Sequence, residues 1–293
     1  MFNRIANSWD LIKASARVLQ ADKELMVFPI ISAIGTLLVS AVFILPIFFS
    51  NFLDSVFMGG SEVLGLVVLF VFYIVEYTVI FFANTALVAA AMKRLNGGDP
   101  TLADGFRAAS QRIGPILGYA LISATVGMIL RMFSSRNNTF GRIIVGLIGL
   151  AWNVATFLVV PVLAVENIGP IEAVKRSVEL LRRTWGEQIA GNIGMNLIFG
   201  LISFGIILLA VPAAYLAIAV FESGWLVAGL VVVVILLMLA IGLVSTTLNG
   251  IFTAAVYQYA TTGQVSGFFD ETLVANTFRS QPRKSFFGTP AGY

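Results

Sequence analysis

The chain has 293 residues, 58% of them hydrophobic and only 11% charged, with a formal net charge of +3 and a mean hydropathy of +0.94. A soluble domain carries about 25% charged residues, so a water-soluble globule is excluded and the bilayer becomes the expected solvent. Cysteine and histidine are both absent, which removes disulfides, thiol nucleophiles, thiolate metal sites and every device built on imidazole, leaving carboxylates, lysine, tyrosine and serine.

The first 25 or so residues are charged and helix-like, with Ile5, Trp9, Ile12, Ala16 and Leu19 at the spacing of one helical face and Ser8 as the expected N-cap. No small-residue cleavage site follows a short apolar run, so this segment does not read as a cleavable signal. Six stretches then meet the length of about 20 apolar residues that a span requires. They are Val27–Phe49, Val63–Ala91, Ile113–Phe133, Ile143–Val165, Ile189–Phe221 and Trp225–Val256. Pro46 and Pro212 fall inside the first and fifth, where each removes a helix hydrogen bond.

Two more short helices are expected, before spans three and five. Thr101 and Asp104 have capping-box spacing, with Leu102, Phe106 and Ala109 on one side of the helix they open. Pro170 suits a first helical turn, followed by an apolar stripe of Ile171, Val174, Val178, Leu181 and Trp185 and by the i,i+4 pairs Glu172–Arg176 and Glu179–Arg183. The expected fold is therefore all-α: an integral membrane bundle of about six transmembrane helices, with short amphipathic interfacial helices before spans 1, 3 and 5. Residues 1–258 form the transmembrane domain and residues 259–293 a cytoplasmic tail. That tail is partly disordered, with a short helix around Asp270–Phe278.

Charge sets the expected topology. All but three of the 18 basic residues fall before span one, between spans two and three, between four and five, or in the tail. By the positive-inside rule both termini are cytoplasmic. The three others, Arg131, Arg136 and Arg142, share the loop between spans three and four. The pI near 9.3 thus reflects loop charge and not a nucleic-acid surface.

Glu76 is the ionisable residue that lies well inside a span, and an intramembrane carboxylate is a functional candidate by default. Arg131 and Arg142 are its candidate partners, by snorkelling from span ends on the same side. A structural contact to Arg or Tyr and a proton- or ion-coupling role both fit, as does a misplaced span boundary. Asn84, Asn153, Asn192, Asn196 and Asn249 add polar groups at helical spacing, together with Thr156, Ser203, Thr253 and Tyr257. They either line a hydrated cavity or hold helices together by hydrogen bonds.

The stretches SWDLIKASARVLQADKELMVFPIISAI, PVLAVENIGPIEAVKRSVELLRRTWGEQIAGN and YQYATTGQ resemble an uncharacterised prokaryotic multi-pass membrane family, a domain of unknown function. The middle stretch is distantly similar to membrane domains attached to some glycerophosphodiesterases. The resemblance implies a helical bundle in an inner (plasma) membrane and brings no activity or catalytic residues. The expected function is non-enzymatic: a scaffold, assembly factor or accessory subunit, in contact with membrane lipids and with another membrane protein. The alternative is a carrier or channel for a small solute, ion or lipid, using Glu76 and the bundle-facing Asn residues. No catalytic residue, cofactor, metal or nucleic-acid partner is expected.

Overall fold

The computed structural model describes residues 2–49, 62–134, 139–184, 190–219, 224–264 and 266–269. All regular structure among them is helical. Helix α1 (Phe2–Ala21) leads through a 3₁₀ turn at Lys23–Met26 into α2 (Val27–Phe49). The long α3 (Glu62–Leu95) is followed by short α4 (Leu102–Gln111) and α5 (Ile113–Ser134). Next come α6 (Thr139–Ala155), α7 (Val159–Val165) and α8 (Pro170–Thr184), then α9 (Ala190–Ala219) and α10 (Gly224–Thr262). Six segments are long and apolar enough to cross a membrane, with α6 and α7 together making the fourth. The protein is a helical membrane bundle.

Helix α3 is the hub, packing against α2, α4, α5, α7 and α10. Its side chains divide the molecule along the membrane normal. From Ala83 to Leu95 most residues are buried, whereas Val63, Leu64, Leu66, Val67 and Val71 are exposed. The same gradient runs along α10, where Thr247–Tyr257 are largely buried and Val231–Val233 are exposed. The core therefore lies at one end, where α1, α4, α7 and α8 close around the ends of the spans. Leu11, Val18, Leu25, Phe28, Leu87, Ile116, Leu163 and Phe252 are among its members. The other half of each span presents its apolar side chains outward, as lipid requires.

The short helices enter the core by faces rotated from those the apolar stripes predict. In α1 the fully buried face is Leu11, Ala14, Ser15 and Val18, packed on α9 and α10; of the predicted stripe Ile12 is also buried and Ala16 and Leu19 pack at the core's edge, but Trp9 stays 47% exposed, with the Lys13 ammonium 6.0 Å from its ring. In α8 the buried residues are Ala173, Ser177, Leu180 and Leu181, and Ile171 is 61% exposed. Small side chains, rather than the most apolar ones, allow the close approach. Ser8 is a further correction: it sits within α1, not at its start.

Helix α4 keeps its predicted cap. Thr101 accepts from the Asp104 N–H, and the Asp104 carboxylate accepts from the Thr101 N–H at 3.0 Å and from Lys93 Nζ at 2.8 Å. Lys93 and the Thr101 donors hold the Asp104 carboxyl well below the usual carboxylate range. Phe106 meets Phe28 with ring centroids 5.1 Å apart. Gly105 is needed beneath them, since a Cβ there would stand 2.5 Å from the Phe28 ring and 2.7 Å from the Ala86 carbonyl oxygen. Prolines 46 and 212 do not end their helices: α2 runs on to Phe49 and α9 to Ala219. Helix α10 runs to Thr262, and Phe269 beyond it packs into the core. The expected helix around Asp270–Phe278 lies outside the described residues.

Candidate functional site

Where α10 crosses α3, glycine sets the distance. A Cβ on Gly250 would stand 2.4 Å from Leu87 Cδ2 and 3.1 Å from its Cγ, so any side chain there would displace the buried Leu87. That approach brings Asn249 and Thr253 of α10 around a cavity with Asn84 of α3 and Asn196 of α9. The cavity has a volume of about 320 Å³, and Val88, Phe157, Val160, Thr246 and Gly250 complete its wall. Asn249 Nδ2 donates to Asn196 Oδ1 at 3.1 Å and to Ser245 Oγ at 3.3 Å, which fixes the orientation of its carboxamide. Asn249 Oδ1 is then buried with no hydrogen-bond partner. Asn84, within span two, has no hydrogen-bond partner among the described residues. Among the described residues no charged side chain lines the cavity. Neutral donors and acceptors of this kind suit an uncharged polar group.

A second cavity of about 550 Å³ opens between α2, α3 and α10 and shares Asn84 and Thr246 with the first. Its other lining is mostly apolar, including Ala33, Ile80, Ile235, Met238, Leu239 and Leu243. Both volumes fall within or near the range of about 300–1,000 Å³ typical of ligand pockets.

The wall formed by Phe157 and Val160 belongs to a break in span four, which the apolar run Ile143–Val165 did not reveal. Pro161 has no N–H to return to the Phe157 carbonyl. The chain tightens ahead of it, with the Phe157 N–H bonding to the Val154 carbonyl three residues back. The Leu158 N–H is thereby freed from the ladder and donates to Ser177 Oγ of α8 at 3.1 Å. Both residues are fully buried. Helix breaks at membrane depth are tolerated where they are buried in protein or line a cavity, and this one does both.

The remaining predicted residues are scattered. Asn153 is exposed and lines neither cavity. The side chain of Asn192 lies outside the described residues. Glu76 is half-buried, and its Oε2 has no hydrogen-bond partner. Neither expected arginine reaches it: Arg131 donates to the Tyr73 hydroxyl at 2.6 Å, and Arg142 is exposed. The reason is depth. Tyr73 sits one turn nearer the end of α3 at which Arg131 leaves α5, so the phenol intercepts the guanidinium. Below it, Tyr73, Tyr77, Phe81 and Tyr119 form a run of ring contacts along the α3–α5 seam.

A second polar cluster was not anticipated. Glu166, at the end of α7, accepts from the Tyr257 hydroxyl at 3.0 Å and from Arg176 Nε at 3.1 Å. Arg176 also donates to Glu179 at 3.0 Å, and these two carboxylates hold its guanidinium above its ordinary range. The predicted Glu172–Arg176 pair is thus replaced: Glu172 instead accepts from the Gly169 N–H at the start of α8. Arg183 has a side chain outside the described residues. Arg112 donates to Asn167 next door. The sequence signal available was the Glu-Asn pair closing span four, opposite Tyr257 at the end of span six. The cluster ties α7, α8 and α10 together below the break.

A search of curated proteins finds no match. A family profile covers residues 63–268, from the start of the second span to the core-packed segment after the sixth, and includes every residue of both cavities except those on α2. The chain belongs to that family, the family of unknown function DUF6159.

Proposed function

We propose that this membrane protein is a carrier that binds a small, uncharged polar group in the cavity formed by Asn84, Asn196, Asn249, Thr246 and Thr253. The observation that carries this reading is the pairing of an unsatisfied Asn249 carbonyl and an unpartnered Asn84 carboxamide with an adjoining helix break. Buried polar groups without protein partners are costly, and transporters commonly place their sites beside discontinuous helices. The cavity offers carboxamides and hydroxyls, which bind and orient, so the reading is non-enzymatic. The basic residues of α1, α4 and α8 gather at the packed end. This supports an orientation with both termini in the cytoplasm.

Native mass spectrometry of protein extracted gently from its own membranes tests the proposal. The wild type is expected to retain a small molecule or lipid that Asn249→Leu releases. A ligand-free chain, or one carrying a stoichiometric protein partner, would overturn the carrier and return the accessory-subunit reading.

A further inference from the structure

Resting on the carrier reading, the structure assigns an amphiphile as the cargo: a neutral hydrogen-bonding head in the Asn cavity, and a hydrocarbon chain in the cleft between α2, α3 and α10. The two cavities are arranged in series along α10. The polar one is bounded by Thr246–Thr253, nearer the packed end, and the apolar one by Val234–Thr246, toward the opposite end. They meet at Thr246 and, across from it, at Asn84. Head toward the basic, packed end and chain toward the far side is the direction in which a lipid of that leaflet points. The length also agrees. Val234–Thr246 extends about 18 Å along the helix, close to the roughly 15 Å depth of one leaflet's hydrocarbon. The cleft is accessible from the bilayer, since Ile235, Leu239 and Gly242 on its rim are exposed. An acyl chain can enter it sideways without leaving an apolar medium. Among the described residues no lining side chain of the head site is charged, which favours a head bearing hydroxyls or an ester over phosphate. Asn84, which lines both cavities, is the group such a head would satisfy.

The test titrates purified protein in micelles with monoolein, which joins a glycerol head to one acyl chain. Glycerol alone and the anionic lipid phosphatidylglycerol serve as comparisons, all read by native mass spectrometry. Monoolein is expected to bind saturably at one per chain, at least tenfold more tightly than either comparison. Two substitutions should each weaken it at least tenfold. Asn84→Leu removes the head contact. Gly242→Phe fills the cleft from a position where a Cβ meets nothing within 4 Å. Thr246→Val, nearly isosteric, should weaken binding with less risk to folding. If glycerol binds as tightly as monoolein, is lost in Asn84→Leu and is indifferent to Gly242→Phe, the amphiphile falls and the carrier stands. If phosphatidylglycerol and monoolein bind alike and ignore all three substitutions, the lipid is merely annular and the inference fails. If nothing binds at the Asn cavity, both readings fail.

Discussion

Substituting Ser177 by alanine removes one oxygen from the core and leaves the Leu158 N–H with nowhere to donate. Both residues are fully buried, and the bond between them is 3.1 Å long. In the fold the Val154 carbonyl, four residues back, accepts from the Phe157 N–H instead, and among the described residues no backbone bond takes the Leu158 amide in its place. A buried donor left unsatisfied costs about 1–3 kcal/mol. Ser15→Ala is the matching control: Ser15 is also fully buried, but its hydroxyl has no partner. Removing that hydroxyl relieves a desolvated group and adds a few tenths of a kcal/mol of helix propensity. Equilibrium unfolding by sodium dodecyl sulfate in mixed micelles should show Ser177→Ala less stable by about 1–3 kcal/mol and Ser15→Ala equal to or above wild type. Amide exchange at Leu158 should rise by about 5–150-fold, the same energy expressed as a ratio. Equal shifts in the two variants, or unchanged exchange at Leu158, would refute the account of the break.

Four further outcomes follow from the geometry. Gly105→Ala should destabilise by up to about 2 kcal/mol, an overpacking cost of ~1–3 partly offset by ~1 of helix propensity. Gly200→Ala, whose Cβ meets nothing within 4 Å, should not destabilise; the reverse order of unfolding midpoints would contradict this. Because the Asp104 carboxyl is lowered in the fold, its contribution is full above the unfolded value of about 3.9 and is lost as pH falls below it. Asp104→Asn should flatten that acid limb of the stability–pH curve. Asp22 behaves oppositely: burial raises its carboxyl, so its contribution declines as pH rises from about 4. Asp22→Asn keeps an oxygen for the Glu24 N–H, and should gain stability over wild type at neutral pH and none in acid; a pH-independent difference would count against it. Glu76→Gln should insert and purify with wild-type yield and monodispersity, since among the described residues its Oε2 has no partner to lose; a marked loss would reveal a partner.

The spans were legible because lipid imposes a simple rule on composition, and apolar runs of sufficient length satisfy it. The cap of α4 was legible because Thr101 and Asp104 act on their own backbone. Asn84, Asn196 and Asn249 were found from their depth in apolar runs, but only the packing shows that they share a cavity while Asn153 stands apart. What stayed hidden depends on neighbours. Pro161 looks like one more apolar residue until Ser177 is seen taking the amide it frees. The inner faces of α1 and α8 are chosen by the smallness of Ala14, Ser15, Ala173 and Ser177, to which hydropathy is blind. Glu76 and Arg131 have complementary charge, yet a tyrosine one turn away takes the guanidinium first.

The uneven packing along α3 and α10 gives the molecule two solvents. Helix α10 has 39 residues, about 58 Å if straight, against a hydrocarbon core of about 30 Å. The surplus belongs with the end where α1, α4 and α8 enclose it, so that part is built as a water-facing domain would be, with caps, ion pairs and a closed core. The opposite half has no such closure and is held by direct helix contacts such as Phe43 on Phe72 and Arg131 on Tyr73, with lipid around it. Urea and salt should therefore loosen one end of the protein, and bilayer thickness the other. The Asn cavity sits close to the junction, where a change imposed from either medium would be felt.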